Sequence, residues 1–393
     1  MLRATDDHRR ARVARRHGLG AAHRYGDITS ATRAMTALHA TEPTTPHLSL
    51  HARVNGVDVA DVEAALYDTR TLVKVMGMRR TLFVVPPDLI DAIAGSVGRR
   101  VADATRKRLE REAAGLDLGS GWIDDARAAV LAALDGEQRS TRELRDAIDH
   151  LGGTFVAAAG TKWATDVPVM ANLLTIFCAE GAVVRACNRG HWRISRPTYT
   201  TMASWLRRAV DPLDDGAGYA ELVRRWLWTF GSGTEADLVW WLGATRRAVR
   251  QALVDVEALE VVLDDGTTGF VLSDDTDDLT EPADREPWVA LLPTLDATTM
   301  GWRDRDFYLD PDHVPYLFDT AGNGGTTVWV DGRVVGCWIQ DDEGRVRTIL
   351  REPLTRSAHR PLAAEVERLD ALLDGERITN VFASPQMRGE HLA

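Results

Sequence analysis

The sequence predicts an α+β protein made of three tandem winged helix-turn-helix units and a β-rich C-terminal part forming a small sheet or partial barrel. Three observations carry that expectation. A helix-helix-hairpin order comes round three times before residue 273, an acidic tract then interrupts the chain, and the remainder is dominated by alternating, β-branched segments. One such unit is a weak signal, whereas three in one chain mark a repeated architecture. The 393 residues leave room for several units with a substantial core, and 45% hydrophobic content with twelve tryptophans describes a folded globular chain.

Residues 1–28 form a basic N-terminal arm carrying Arg3, Arg9, Arg10, Arg12, Arg15, Arg16 and Arg24. It reads either as a solvated surface helix or as an arm laid along a phosphate backbone. The first winged unit, with its helical connector, spans 29–138. Ser30 is placed to cap a helix over 30–38, whose Ala31, Ala34, Met35 and Leu38 share one face. Pro43 and Pro46 stop that helix, which leaves His39 and Thr41 at its end. Helical segments over 49–55 and 59–69 follow, then strands over 71–75 and 79–85 joined around Gly77, and a charged helical connector over 91–118.

The second unit spans 139–215. A capping box of Ser140 and Glu143 opens a helix ending near His150, Gly152-Gly153 makes a turn, and a helix covers about 167–180. Its hairpin pairs 182–185 with 192–194 around Asn188-Arg189-Gly190. The third unit, 216–273, has helices over 220–230, 235–242 and 246–256, then a hairpin of 259–263 with 269–272 turned at Asp264-Asp265-Gly266. In the last part, 274–393, the acidic tract 274–286 reads as a linker or exposed loop. Strands follow over 288–293, 326–330, 333–340 and 345–351, with tight turns at Asp331-Gly332 and Glu343-Gly344. A helix over 362–373 and a strand over 378–382 close the chain.

Charge is unevenly distributed. The whole chain is at -11, yet residues 1–110 hold 18 Arg and Lys against 12 Asp and Glu, a local excess of +6. A basic region on an acidic protein suits a polyanionic partner, because local field attracts phosphates. Only Lys74, Lys107 and Lys162 among the 47 basic residues are lysines, which leaves few amine nucleophiles. Cys178, Cys187 and Cys337 make no Cys-x-x-Cys pair, favouring a reducing compartment. No apolar run reaches eighteen residues and the first residues lack the apolar core of a secretory signal, so no membrane partner and a cytoplasmic location are expected.

Polar chemistry gathers at Ala37-Leu38-His39-Ala40-Thr41-Glu42-Pro43. Two polar side chains one residue apart at a fraying helix end can face one ligand. By spacing alone, a dipole-complementing histidine beside a loop threonine is the commoner arrangement. His47 and His51, four residues apart with His39 nearby, lack a paired carboxylate or cysteine, and Cys178, Cys187 and His191 fit no zinc spacing. No metal or cofactor is expected. Arg246, Arg247 and Arg250 read as a solvated helix face, and Trp226, Trp228, Trp240 and Trp241 as core.

Further motifs spread over about 25–385. They are His51-Ala52-Arg53-Val54 after the Leu38 to Thr41 stretch, Met78-Arg79-Arg80-Thr81-Leu82-Phe83-Val84-Val85-Pro86, and Phe230-Gly231-Ser232-Gly233-Thr234 leading to Leu242-Gly243. Leu291-Leu292-Pro293-Thr294-Leu295-Asp296 and Val330-Asp331-Gly332-Arg333-Val334-Val335-Gly336-Cys337-Trp338 complete the set. Together they resemble the winged-helix DNA glycosylases of the AlkZ and YcaQ type, whose founding members unhook bulky and crosslinking alkyl adducts from DNA. The resemblance implies three winged-helix units in a C-shape and a partner of double-stranded DNA carrying alkylated guanine. It further implies a glycosylase hydrolysing the N-glycosidic bond of bulky N7-alkylated guanine, and self-resistance to a genotoxic natural product; the shortage of lysines adds the expectation that it is monofunctional.

By this resemblance His39 and Thr41 are the catalytic pair, in place of the family's Gln-x-Gln, while Phe83 and Arg80 replace its histidine and glycine in the Thr-Leu-His segment. An N7-alkylated guanine is cationic and leaves without protonation, so the protein must place a water and stabilise an oxocarbenium-like transition state. A neutral imidazole at His39 can accept the water's proton, whereas the Thr41 hydroxyl can only hold it. Arg53, Arg79 and Arg80 are the candidate DNA-binding residues. The competing class is a non-enzymatic winged-helix DNA-binding protein or transcription regulator. Three units and a sheet in one chain suit a monomer wrapping a duplex better than a dimeric regulator.

Overall fold

The computed structural model describes residues 2–116, 119–158, 160, 164–279 and 287–390. It is a mixed α/β chain of two compact units. One comprises residues 1–72, 84–86 and 220–393, the other 73–83 and 87–219.

In the first unit, strand Leu2–Ala4 pairs in parallel with Leu259–Leu263, which pairs antiparallel with Thr268–Val271. Helix Asp6–Arg16 follows. Thr5 caps it, and acidic Asp6 and Asp7 at its start with Arg15 and Arg16 at its end match the helix dipole. The arm is neither a solvated helix nor free for a phosphate backbone. Arg12, 1% exposed, donates to Gly231 O at 2.8 Å and to Asp275 at 2.5 Å, and Arg16 joins the same carboxylate. The Arg9 guanidinium lies 3.6 Å over the Phe307 ring.

The helix expected over 30–38 is shifted and shorter: it runs Ile28–Ala34. Asp27 is the cap, accepting from Ser30 N at 2.8 Å and from the Ser30 hydroxyl at 2.7 Å. Thr36 at φ 61° then ends the helix before either proline is reached, and Leu38–His39 is a short strand. His39 therefore lies on extended backbone, not at a helix end. Helix Thr45–Arg53 is buried along its whole length, with Pro46 in its first turn. Helix Val59–Glu63 opens with a capping box of Asp58 and Asp61 and continues into a wider turn over Ala64–Asp68, as expected for 59–69.

The C-terminal part of this unit holds helices Glu235–Leu242 and Arg246–Asp255, then a four-stranded antiparallel meander. Its strands are Val289–Leu292, Thr327–Val330, Arg333–Gln340 and Val346–Leu350. Trp329 and Trp338, on its second and third strands, are fully buried, and helix His359–Leu373 follows. The strand expected over 378–382 is absent. Its backbone donors go to side chains instead, Ile378 N to Gln340 Oε1 at 2.9 Å and Phe382 N to Glu42 Oε1 at 2.8 Å.

In the second unit, strand Val73–Met76 is followed by a tight turn over Met78–Arg80, with Arg79 and Arg80 at φ 54° and 59°. Helix Arg99–Glu112 packs on Val169–Ala179, and Gly98 permits the approach because a Cβ there would lie 2.3 Å from Ala179 O. The capping box is formed, Ser140 N to Glu143 Oε2 at 2.6 Å and Glu143 N to Ser140 Oγ at 3.2 Å, but its helix ends at Ala147. A hairpin of Thr154–Ala157 with Thr165–Pro168 was not expected. In the next hairpin, Val183–Asn188 pairs with Pro197–Thr201, not with 192–194. The Asn188 amide donates to Gly190 O and Ile194 O while its oxygen accepts from Arg196 N, closing a longer loop than a tight turn would.

Candidate active site

The His39 strand is fixed by its neighbours. Thr36, in the left-handed region that costs a non-glycine residue about 1–2 kcal/mol, is buried with its hydroxyl 2.8 Å from that of Thr229. Thr229 in turn donates to Ala34 O at 2.7 Å, closing the end of the preceding helix. His39 is 4% exposed and Ala40 is buried, whereas Thr41 is exposed. The two candidate groups thus stand in different surroundings, one dry and one wet.

A buried charge network holds helix Thr45–Arg53, which follows this strand in the chain. Arg53 donates to both oxygens of Asp296, at 2.8 and 2.7 Å, and neither side chain has exposed area. Ser49 Oγ donates to Asp296 Oδ2 at 2.6 Å and Thr298 N to Oδ1 at 2.8 Å. Arg53 also reaches the Thr298 hydroxyl at 2.7 Å, which bonds His17 Nδ1 at 2.8 Å. Asp296 is held below the usual carboxylate range: burial alone would raise it, and the Arg53 charge and these hydrogen bonds outweigh burial. His17 is pushed down to about 3 by burial and by Arg53. Arg53 was expected to contact DNA. The structure corrects that: its charge is committed to Asp296, so it braces helix Thr45–Arg53 from inside.

Sequence reasoning passed over Glu42 and Asp296. Glu42 is 1% exposed, and burial raises its pKa. Its Oε1 accepts from Phe382 N, tying the C-terminal segment to the residue after Thr41. A carboxylate directly before a proline was the only signal for it. Asp296 stood in a recognised motif, but nothing local named Arg53 as its partner.

Arg79 and Arg80 belong to the second unit. Their turn is closed by Gly77 N to Thr81 O at 2.9 Å and Arg80 N to Gly77 O at 3.2 Å. Arg80 is exposed, and its terminal nitrogen lies 3.5 Å from Asn172 Oδ1, which takes a shorter 2.8 Å bond from Arg108. Burial lowers the Arg80 pKa and Arg108 lowers it further, with Glu112 opposing. Two guanidiniums converging on one neutral amide oxygen form a locally positive spot.

His47 Nδ1 lies 3.1 Å from Pro43 O and His51 Nδ1 3.4 Å from Val57 O. Both are engaged within their own helix region. Burial and Arg368 push His51 down to about 4. Trp226 and Trp241 are core as expected, while Trp228 is 40% exposed beneath the Arg16 guanidinium.

The sequence profile of the family described as DNA glycosylase AlkZ-like matches residues 32–372. The chain belongs to that family. It is thus a DNA glycosylase of DNA repair, with DNA as its substrate. The AlkZ-like fold is borne out by Streptomyces sahachiroi DNA glycosylase AlkZ, similar at a TM-score of 0.76 over 96% of this chain and 99% of that one, at 18% identity. A sequence search among curated proteins finds no match. Among the described residues no helix is long and apolar enough to cross a membrane.

Proposed function

We propose that this AlkZ-like glycosylase is a monofunctional enzyme that hydrolyses the N-glycosidic bond of bulky N7-alkylated guanine in duplex DNA, with His39 as the base and Thr41 as the second holder of the water. The observation that carries the reading is the placement of His39. It sits almost wholly out of solvent on a strand fixed by the Thr36–Thr229 bond, next to an exposed threonine. A dry imidazole beside a wet hydroxyl suits a site where one ordered water meets C1′ of the sugar and bulk water is kept away.

The cationic base leaves unaided, so the protein's part is to orient and deprotonate that water. Glu42 keeps the corner in place through Phe382. Arg79 and Arg80 contact phosphate, and an anion there relieves the repulsion between Arg80 and Arg108. Three lysines in 393 residues favour hydrolysis over strand cleavage through a Schiff base. Self-resistance to a DNA-alkylating natural product, a monomeric state and a cytoplasmic location complete the proposal.

The test is incubation with duplex carrying bulky N7-guanine adducts, followed by heat or alkali to break abasic sites. The wild type should release base, His39→Ala should lose about 10² to 10⁴ in rate, and Thr41→Ala should lose less. Binding to adducted duplex without release from any adduct would overturn the catalytic reading.

A further inference from the structure

Far from His39 in sequence, the first unit brings together one imidazole and two carboxylates that the glycosylase chemistry does not use. Asp310, His313 and Glu352 each offer one donor atom, all within 4.8 Å of one another. They come from two segments that the meander fastens. Asp310 caps the turn Pro311–His313, and Glu352 follows strand Val346–Leu350. Val334 N to Tyr308 O and Arg351 N to Val335 O, both 2.8 Å, tie these segments to the strand between them.

His313 is 8% exposed, and its Nδ1 is buried without a hydrogen-bond partner. It faces Glu352 Oε1, also buried without a hydrogen bond, across 3.6 Å. That gap is too long for a hydrogen bond. It is close to the roughly 3.4 Å that separates two ligand atoms on a tetrahedral zinc ion with bonds of about 2.1 Å. Asp310 uses Oδ1 to accept from Asp312 N at 2.9 Å, which leaves its second oxygen for the cluster. Arg333 approaches Glu352 Oε1 only to 3.8 Å, so two carboxylates stand against one arginine cation there.

We propose that Asp310, His313 and Glu352 bind a first-row divalent cation such as Zn²⁺, with water completing the coordination. One nitrogen with two carboxylate oxygens disfavours the all-oxygen preference of Ca²⁺ and Mg²⁺. The ion would clamp the turn after Leu309 to the end of strand Val346–Leu350. The inference is independent of the proposed reaction, because it involves neither His39 nor DNA.

The experiment titrates the full-length metal-free protein with Co²⁺ and follows visible d–d absorption. One equivalent should give bands displaced by Zn²⁺, and Zn²⁺ should raise the melting temperature. His313→Ala should abolish both effects, and the shape-preserving Glu352→Gln should weaken Co²⁺ binding by about tenfold or more. If His313→Ala does not fold, Glu352→Gln and Asp310→Asn decide the matter. Absence of d–d bands, equal binding by the variants, or a near-ultraviolet thiolate-to-cobalt band reporting binding at Cys187 instead would overturn the site. The three groups would then be an ion-paired cluster only.

Discussion

The turn that leads into His39 and the turn that carries Arg79 and Arg80 are both sharp and both place non-glycine residues in the left-handed region. They are held by opposite means. Thr36 is buried and fastened through side chains to Thr229, with the Arg53–Asp296 pair bracing the adjoining helix. The arginine turn is closed by its own backbone, and Arg80 remains exposed. The first arrangement suits a group that must be in register with a reacting atom to a fraction of an ångström. The second suits a contact to phosphate, which tolerates movement.

If that contrast is right, the largest stability loss should come from the buried side. Asp296→Ala leaves the Arg53 charge buried and unpaired, and should cost about 3–5 kcal/mol in denaturant unfolding while Arg80→Ala costs almost nothing. A cost below about 1 kcal/mol would mean that the network is not what braces helix Thr45–Arg53.

Acid should sharpen the same distinction. His17 and His51 stay neutral in the folded chain down to about 3 and about 4, whereas in the unfolded chain they take up protons near their ordinary value of about 6.5. The unfolded state therefore binds more protons across that window. Stability should fall as pH drops from about 6.5 toward 4, by up to about 1.4 kcal/mol per pH unit for each histidine. His51→Gln should flatten the slope, and an unchanged slope would remove His51 from the account.

The smallest effect belongs to the arginine turn. Arg80→Ala should weaken binding to all duplexes alike and reduce the dependence of log affinity on log salt by about 1, with the melting temperature unmoved. A change confined to adducted DNA would place Arg80 near the lesion instead.

Local chemistry made much of the fold legible. Helix Glu235–Leu242 and strand Leu259–Leu263 match their expected limits, because a Thr234–Asp237 capping box and an Asp-Asp-Gly turn are written within a few residues. The His39 helix was misplaced because Asp27 and Ser30 compete for one cap, and Thr36, neither proline nor glycine, does the stopping. Arg53 was read as a DNA-binding candidate because its partner lies 243 residues away. The segment 378–382 looked like a strand because it is rich in β-branched and aromatic residues, but Gln340 and Glu42 take its donors. His39 and Thr41 are proposed by resemblance, since nothing near them in sequence distinguishes a reacting histidine from a packed one.

The parallel pairing of Leu2–Ala4 with Leu259–Leu263 has a consequence for how the chain is made. The opening strand has no ladder partner until residue 263 has left the ribosome, whereas residues 87–219 of the other unit form one continuous stretch. At about 5–20 residues per second, the residues up to 72 wait on the order of 10 to 40 s for that partner. Throughout that interval Arg12 and Arg16 of helix Asp6–Arg16 lack Asp275, the carboxylate that both later pair with. A nascent chain stalled before residue 260 should therefore present a basic, unfolded head behind a body that has already folded.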